Sequence, residues 1–386
     1  MSLKLAIITS TRAEYGIFYP LIKVLLEDNY FDLHLLVTGT HLCEKYGHTV
    51  DFIKKDGIPI AYEVPILTSE GTNVAEISRA LIKFEAIYIK EQYDAIMVLG
   101  DRYELFGFCI PAMLHRIPII HLHGGEKTEG ALDEKIRHSI TKLASIHFPS
   151  LPEYAKRIVQ MGENPNYVWA VGALGIDNIL NQKLIGKEVL EKDLGITDLS
   201  LTAIVTFHPI TSKEGDQMIV QTKEVFNALV DVNLNYIVTC PNSDYGSDQI
   251  NEVIKNYEQR YPDRFKVFKS LGQIRYLSSL KYCRMVIGNS SSGIIEAPSF
   301  KIPTIDIGDR QQGRFSPESV LHTPCVKHDI VRTIKKAMSS EFQAFLGQCT
   351  NPYGDGRTAE RIRDRLKSID FKNPNLIKKK FYDMQG

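Results

Sequence analysis

The sequence predicts an α/β fold of two doubly wound, Rossmann-like domains, and three observations predict it. Short apolar runs of strand length recur along all 386 residues, each is followed by a polar or glycine-bearing loop, and each loop leads into a longer stretch of helical period. Runs that read as unbroken Val, Ile and Leu are buried on both faces, which means parallel sheet covered by helices. The pattern runs through the first half and then restarts, so two such units are expected, with their strand ends facing a shared cleft.

In the first half the strand-like runs are LKLAIIT (3–9), LHLLVTG (33–39), AIMVLGD (95–101), IPIIHLH (117–123) and YVWAVGA (167–173). Helical period fills the gaps, as in YGIFYPLIKVLLED and VAEISRALIKFEAIYIK and around Asp133–Arg137. In the second half the runs are TAIVTFH (202–208), YIVTC (236–240), FKVFKSL (265–271), MVIGN (285–289) and PTIDIGD (303–309). A glycine- and charge-bearing stretch without a strand lies between them, which places the hinge near 172–180. After Asp355 the chain is helical in period and basic, and its last residues, NPNLIKKKFYDMQ, are expected at the surface.

Length and composition agree with this organisation. With 44% hydrophobic residues over 386 positions, the chain is too long for one core and long enough for two. The 46 Lys and Arg balance the 46 Asp and Glu, so no bulk field exists to hold nucleic acid or an anionic membrane, and any anion needs a local site. Six dispersed cysteines without a C-x-x-C pair read as buried free thiols of a reducing cytoplasm. No run is long enough to cross a bilayer or to serve as a signal sequence, so a soluble cytoplasmic protein is expected.

Open α/β sheets bind ligands at the carboxyl ends of their strands, and the unusual residues fall there. Gly288-Asn289-Ser290-Ser291-Ser292-Gly293 follows a strand and opens a helix, where free N–H groups and hydroxyls suit a phosphate; a plain serine N-cap is the other reading. Glu296, expected in the first turns of that helix, suits a ribose hydroxyl pair, and Arg314, with Arg310 as its rival, suits a diphosphate. After the first strand, Thr9–Gly16 is neither G-x-G-x-x-G nor a Walker A loop, so the glycine-cradle routes to NAD and ATP lack support; Arg12 is expected to approach phosphates instead. Three carboxylates, Asp101, Glu126 and Asp133, sit on neighbouring strand-end loops with Arg102, Arg137 and His138 close in sequence. Carboxylates drawn together push their pKa values apart, which lets one act as acid and another as base, although Asp133 also reads as an N-cap. His121 and His123 read as core histidines at one position at least. Their spacing with Glu126 matches no established metal pattern, so no metal is expected. His208 ends a strand of the second half and suits proton transfer, with Asn242 as a weaker sugar or base contact. No G-x-S-x-G elbow is present.

Taken in order, T-S-T-R-A-E-Y-G (9–16), T-G-x-H-L (38–42), L-G-D-R-Y-E (99–104), H-x-H-G-G-E (121–126), D-E-x-I-R-H-S-I-T-K (133–142), F-H-P (207–209), G-N-S-S-S-G-x-I-E (288–296), G-D-R-Q-x-G-R (308–314) and N-P-Y-G-D-G (351–356) resemble the hydrolysing UDP-N-acetylglucosamine 2-epimerases. The resemblance implies a glycosyltransferase-B arrangement: an N-terminal domain of residues 1–174, a UDP-binding domain of residues 175–365, and a last helix, 366–386, crossing back to the first. It implies Asp101, Glu126, Asp133 and His208 as catalytic groups, and Ser290, Ser291 and Glu296 as UDP contacts beside Arg12 and Arg314. Arg102, Arg137, His41 and Asn242 follow as secondary contacts. It implies no cofactor, a UDP-sugar substrate, and a homodimer or homotetramer. The loop S-T-R-A-E-Y-G differs from the G-T-R-P-E of the non-hydrolysing branch. Some hydrolysing members take UDP-2,4-diacetamido-2,4,6-trideoxyglucose instead of UDP-GlcNAc. A transferase of the same fold and a silent nucleotide-sugar-binding module stand as the readings from other classes.

Overall fold

The computed structural model describes residues 2–67, 71–128, 132–208, 215–240 and 247–384. It divides into a first unit, Met1–Asn178 with Tyr353–Gly386, and a second unit, Ile179–Pro352.

In the first unit, β1 (Leu3–Thr9), β2 (Phe31–Thr38), β3 (Ile60–Val64), β4 (Ala95–Leu99), β5 (Ile119–Leu122) and β6 (Ile146–Phe148) form one parallel sheet in the order β3-β2-β1-β4-β5-β6. Strand alternation splits the core between its faces. Leu3, Leu5 and Ile7 of β1 join Met97 and Leu99 of β4 on one side, packed with the helix Arg12–Leu26 and the helix Thr358–Lys367. Ala6, Ile8, Ile96 and Val98 face the other side, packed with the helices Asn73–Glu91 and Leu105–Leu114. Chain order reverses between β1 and β4, so the loops after those strands flank the position where such sheets bind ligands.

The second unit repeats this topology. Strands β7 (Thr202–Thr206), β8 (Asn235–Thr239), β9 (Phe265–Phe268), β10 (Met285–Gly288), β11 (Thr304–Ile307) and β12 (Val320–Thr323) are parallel in the order β12-β11-β10-β7-β8-β9, which puts the reversal between β7 and β10. Both units are Rossmann-like, as the sequence predicts.

The differences lie at edges and ends. The run at 167–173 is not a sheet strand: a 3-10 turn, Pro165–Tyr167, precedes it, a single bridge joins Val168 to His147, and the chain is then drawn aside as Ala173 N donates to Tyr353 O at 2.6 Å. Edge strands β3 and β12 and the three-residue β6 carry too short or too mixed a pattern to stand out in the sequence. The division falls after Asn178, and the returning segment begins at Tyr353 rather than at 366. Its helix, Thr358–Lys367, ends where one was expected to begin; Asn373-Pro374-Asn375 favours a 3-10 turn capped by the Asn373 side chain on Asn375 N.

Gly288 closes β10 at φ 139°, and a Cβ there would lie 1.9 Å from Thr206 O. Gly288→Ala is therefore expected to destabilise the second unit by roughly 3 kcal/mol or more, read as a lower urea midpoint.

Candidate active site

The loop after β1 is held by its own side chains. Thr11 caps the helix Arg12–Leu26, accepting from Glu14 N at 3.2 Å, while Glu14 Oε2 accepts from Ser10 N and Ser10 Oγ, both at 2.7 Å, and from Thr11 N at 3.1 Å. Burial raises the Glu14 carboxyl, and the Ser10 bonds oppose that shift. Glu14 is thus occupied in shaping the loop, whereas Arg12 is exposed, its guanidinium 4.6 Å from the Phe52 ring centroid. His41 departs from its expected part as a substrate contact. It is wholly buried, with Nε2 3.1 Å from Thr9 Oγ1 and Nδ1 2.8 Å from Thr49 Oγ1, and burial brings its pKa down to about 4. Both ring nitrogens are spent on protein groups, one at the end of β1 and one at the start of the helix Val50–Lys55.

One cation ties together the loops that carry the expected carboxylates, holding Asp101 by its carboxylate and Glu126 by its backbone carbonyl. Arg137, on the helix Leu132–Leu143 and 5% exposed in its side chain, bonds to Asp101 Oδ2, to Glu126 O at 3.0 Å, to Thr128 Oγ1 at 2.7 Å and to Glu134 Oε2 at 3.2 Å. Its fork is filled by the protein, so Arg137 organises the loops rather than waiting for substrate. Burial raises the Asp101 carboxyl; Arg137 opposes that shift, and the charges of Asp133 and Glu126 push it further up. Glu134 is the opposite case: burial pushes it up, but Thr128 N, His138 and Arg137 outweigh this and hold it low. Asp133, in the first helical turn, is exposed and near enough to act on Asp101 electrostatically. Arg102 donates to the fully buried Glu104 at 2.5 Å, a partner the sequence pattern did not single out.

The two histidines of β5 part company. His121 is a core histidine, with Nε2 2.8 Å from Gly100 O and Nδ1 3.2 Å from Thr141 Oγ1, and burial lowers it to about 3. It stays neutral and anchors the residue before Asp101. His123 holds a left-handed backbone at φ 60°, uncommon away from glycine, and places Nδ1 3.1 Å from Glu126 Oε1. Glu126 also accepts from Ser150 Oγ at 3.5 Å.

In the second unit, Asn289 joins the ends of β7 and β10: its Oδ1 accepts from His208 N at 2.7 Å and its Nδ2 donates to His208 O at 3.0 Å. Arg310 and Gln311 both donate to Asn289 O, at 3.0 and 2.9 Å. Ser290 caps a helix of only five residues, Ser291–Ile295, so Glu296 stands at its C-terminal end rather than in its first turns; Pro298 follows too closely for the helix to run on. Ser292 Oγ donates to Glu296 Oε2 at 2.6 Å and pairs with Tyr276 OH at 2.7 Å. Burial raises Glu296, against the Ser292 bond. The i, i+4 spacing of Ser292 and Glu296 is the signal by which that pair is found. Arg314 is half-buried, and among the described residues its side chain makes no hydrogen bond or ion pair. Asn242 lies outside the described residues.

Two Rossmann-like units with polar clusters at their topological reversals define the glycosyltransferase-B-like class. A structure of UDP-GlcNAc 2-epimerase from Neisseria meningitidis bound to UDP-GlcNAc shares the fold, with a TM-score of 0.78 at 16% identity over 95% of this chain and 100% of that one. A family profile described as UDP-N-acetylglucosamine 2-epimerase matches residues 23–367. Among curated relatives, the polysialic acid biosynthesis protein P7 of Escherichia coli is 38% identical over 99% of this chain and 97% of its own. The UDP-N,N'-diacetylbacillosamine 2-epimerase (hydrolyzing) of Legionella pneumophila is 33% identical over 97% of this chain and 98% of its own. The chain belongs to the UDP-N-acetylglucosamine 2-epimerase family.

Because Arg137 opposes the rise of the Asp101 carboxyl, Arg137→Met is expected, with Asp101 read as a proton-transfer group, to move one limb of the kcat–pH profile to higher pH. It is also expected to lower kcat about 100-fold. Steady-state kinetics between pH 5 and 9 check both.

Proposed function

We propose that the protein is a hydrolysing 2-epimerase that converts UDP-GlcNAc and water to ManNAc and UDP. The observation that carries this reading is the set of carboxylates, Asp101, Glu126 and Asp133, assembled on the Arg137 helix and the ends of β4 and β5. Removing a proton at sugar C2 while UDP leaves C1 forms a glycal; water then adds at C1 and a proton returns to C2 on the opposite face. Each half needs a proton-transfer group, and a carboxyl raised by burial and by its acidic neighbours, as Asp101 is, suits one of them. The polysialic acid biosynthesis protein of Escherichia coli and the hydrolysing 2-epimerase of Legionella pneumophila support a route to sialic-acid-type sugars and a hydrolytic outcome.

In this reading Ser290, Ser291 and Glu296 bind the nucleotide and Arg314 and Arg12 meet the diphosphate. Arg314 suits that work because its guanidinium is not committed elsewhere among the described residues. His208, held by its backbone to Asn289, serves as a further proton-transfer group. The chemistry is redox-neutral and uses no cofactor. The Legionella relative favours a second substrate, the UDP-diacetamido-trideoxy sugar, handled by the same steps. We place the enzyme in the cytoplasm; no described helix is long and apolar enough to cross a membrane.

Proton NMR in heavy water with UDP-GlcNAc is expected to show UDP and ManNAc deuterated at C2. Turnover confined to the diacetamido sugar moves the substrate to the second reading, accumulation of UDP-ManNAc moves the protein to the non-hydrolysing branch, and inertness toward both sugars leaves a transferase or binding module. Glu126→Gln is expected to lose at least about 1000-fold in kcat while UDP still binds, by calorimetry. A homodimer or homotetramer is expected by light scattering; a monomer at working concentration overturns it.

A further inference from the structure

The candidate catalytic helix, Leu132–Leu143, presents Asp133, Glu134 and Arg137 near its start. Its other end is closed by the last stretch of the chain, beyond the family match at 367. Lys379 Nζ donates to Lys142 O at 2.6 Å, Ala144 O at 2.7 Å and Glu163 Oε2 at 2.9 Å, which uses all three of its protons. The first two are carbonyls at the helix terminus, where a cation is also favoured by the helix dipole. Glu163, 3% exposed in its side chain, draws in Lys142 and the buried His147 of β6 as well. Burial pushes the Glu163 carboxyl up, but its three cationic or imidazole partners outweigh that and hold it at about 2.

On either side of Lys379 the chain is pinned to the same region. Ser145 Oγ donates to Leu376 O at 2.5 Å, and the Leu376 side chain is buried. Tyr382 N donates to Gly162 O at 2.9 Å, and the Phe381 ring lies where a Cβ on Gly162 would be 2.2 Å from it. A tail that merely lay on the surface would not commit every proton of one lysine. Along the helix, Lys142 is five residues from Arg137, about 7.5 Å of axis, so a shift at the clamped end is carried directly to the Arg137 fork.

We infer that residues 368–384 are a strap in which Lys379, acting through the C-terminal end of the helix Leu132–Leu143, is a positioning residue for the Asp101 carboxylate and the Glu126 loop held by Arg137. This rests on the reading of that cluster as catalytic. The strap acts on proton transfer and leaves nucleotide affinity alone, because the residues assigned to UDP, apart from Arg12, stand on the second unit.

The test compares Lys379→Met, Lys379→Arg and Phe381→Ala in the full-length protein, with kcat, KM and the kcat–pH profile on the NMR-active UDP-sugar and UDP affinity by calorimetry. The expected result for Lys379→Met is a kcat at least tenfold lower with a displaced pH profile, KM and UDP affinity within twofold of the parent. Lys379→Arg is expected within threefold of the parent, and Phe381→Ala to lose kcat alone by a few fold. Two outcomes overturn the inference: parental kcat and pH profile in Lys379→Met, whatever its thermal stability, or kcat and UDP affinity falling together in Phe381→Ala. If Lys379→Met does not fold, an unchanged kcat and pH profile in Phe381→Ala overturns it. Retained turnover in Glu126→Gln is a separate result, which removes the reading of the cluster and not the strap's hold on the helix.

Discussion

A guanidinium brought into a protein must find its charge and its hydrogen bonds there, and Arg137 does so by drawing two loops to its own helix. Asp101 arrives on the loop after β4, Glu126 and Thr128 on the loop after β5, and Glu134 on its own helix. Removing one partner of a buried ion pair commonly costs roughly 3–5 kcal/mol, so these loops are not free to drift apart. The same requirement ties local charge to the chemistry. Asp101 is raised by burial and by its neighbours, yet kept from rising further by the cation that holds it.

Much of what surrounds this point serves to keep it still. His121 is a neutral bolt beneath Asp101, bonded to the Gly100 carbonyl and to Thr141 of the helix that carries Arg137. His41 does the same for the loop after β1. At the far end of the Arg137 helix, Lys379, itself held by Glu163, donates to the carbonyls that would otherwise need water. In the second unit a neutral amide takes the organising part: Asn289 grips the backbone of His208 while its own carbonyl collects Arg310 and Gln311. One unit is thus built around a buried charge at its strand ends, the other around a buried amide.

Several polar residues that belong to recognisable motifs turn out to be scaffolding. Glu14, within the R-A-E-Y-G loop, is consumed by a capping box, and Arg102, beside Asp101, turns one guanidinium nitrogen to Glu104. A motif therefore marks where a site lies without separating the groups that face a ligand from those that shape the loop. Arg12 and Arg314 remain the arginines best suited to phosphate because neither has a carboxylate partner among the described residues.

The sequence by itself determined the α/β class, the repetition of the unit and most central strands, because strands buried on both faces must be continuously apolar and that pattern is local. It also pointed to candidate groups after β1, β4, β5, β7 and β10, since polar residues bearing unusual motifs follow those runs. Only the tertiary structure decided which of them are available. Whether His41, Arg102 or Arg137 meets a ligand depends on partners 2 to 36 residues away, at Thr9, Thr49, Glu104 and Asp101. The tail was the least legible part: its lysines look like a solvated basic end and do stay exposed, yet the three bonds of Lys379 are made to Lys142, Ala144 and Glu163, more than 200 residues distant. Periodicity is written along the chain, whereas the satisfaction of a buried charge is settled only when distant segments meet.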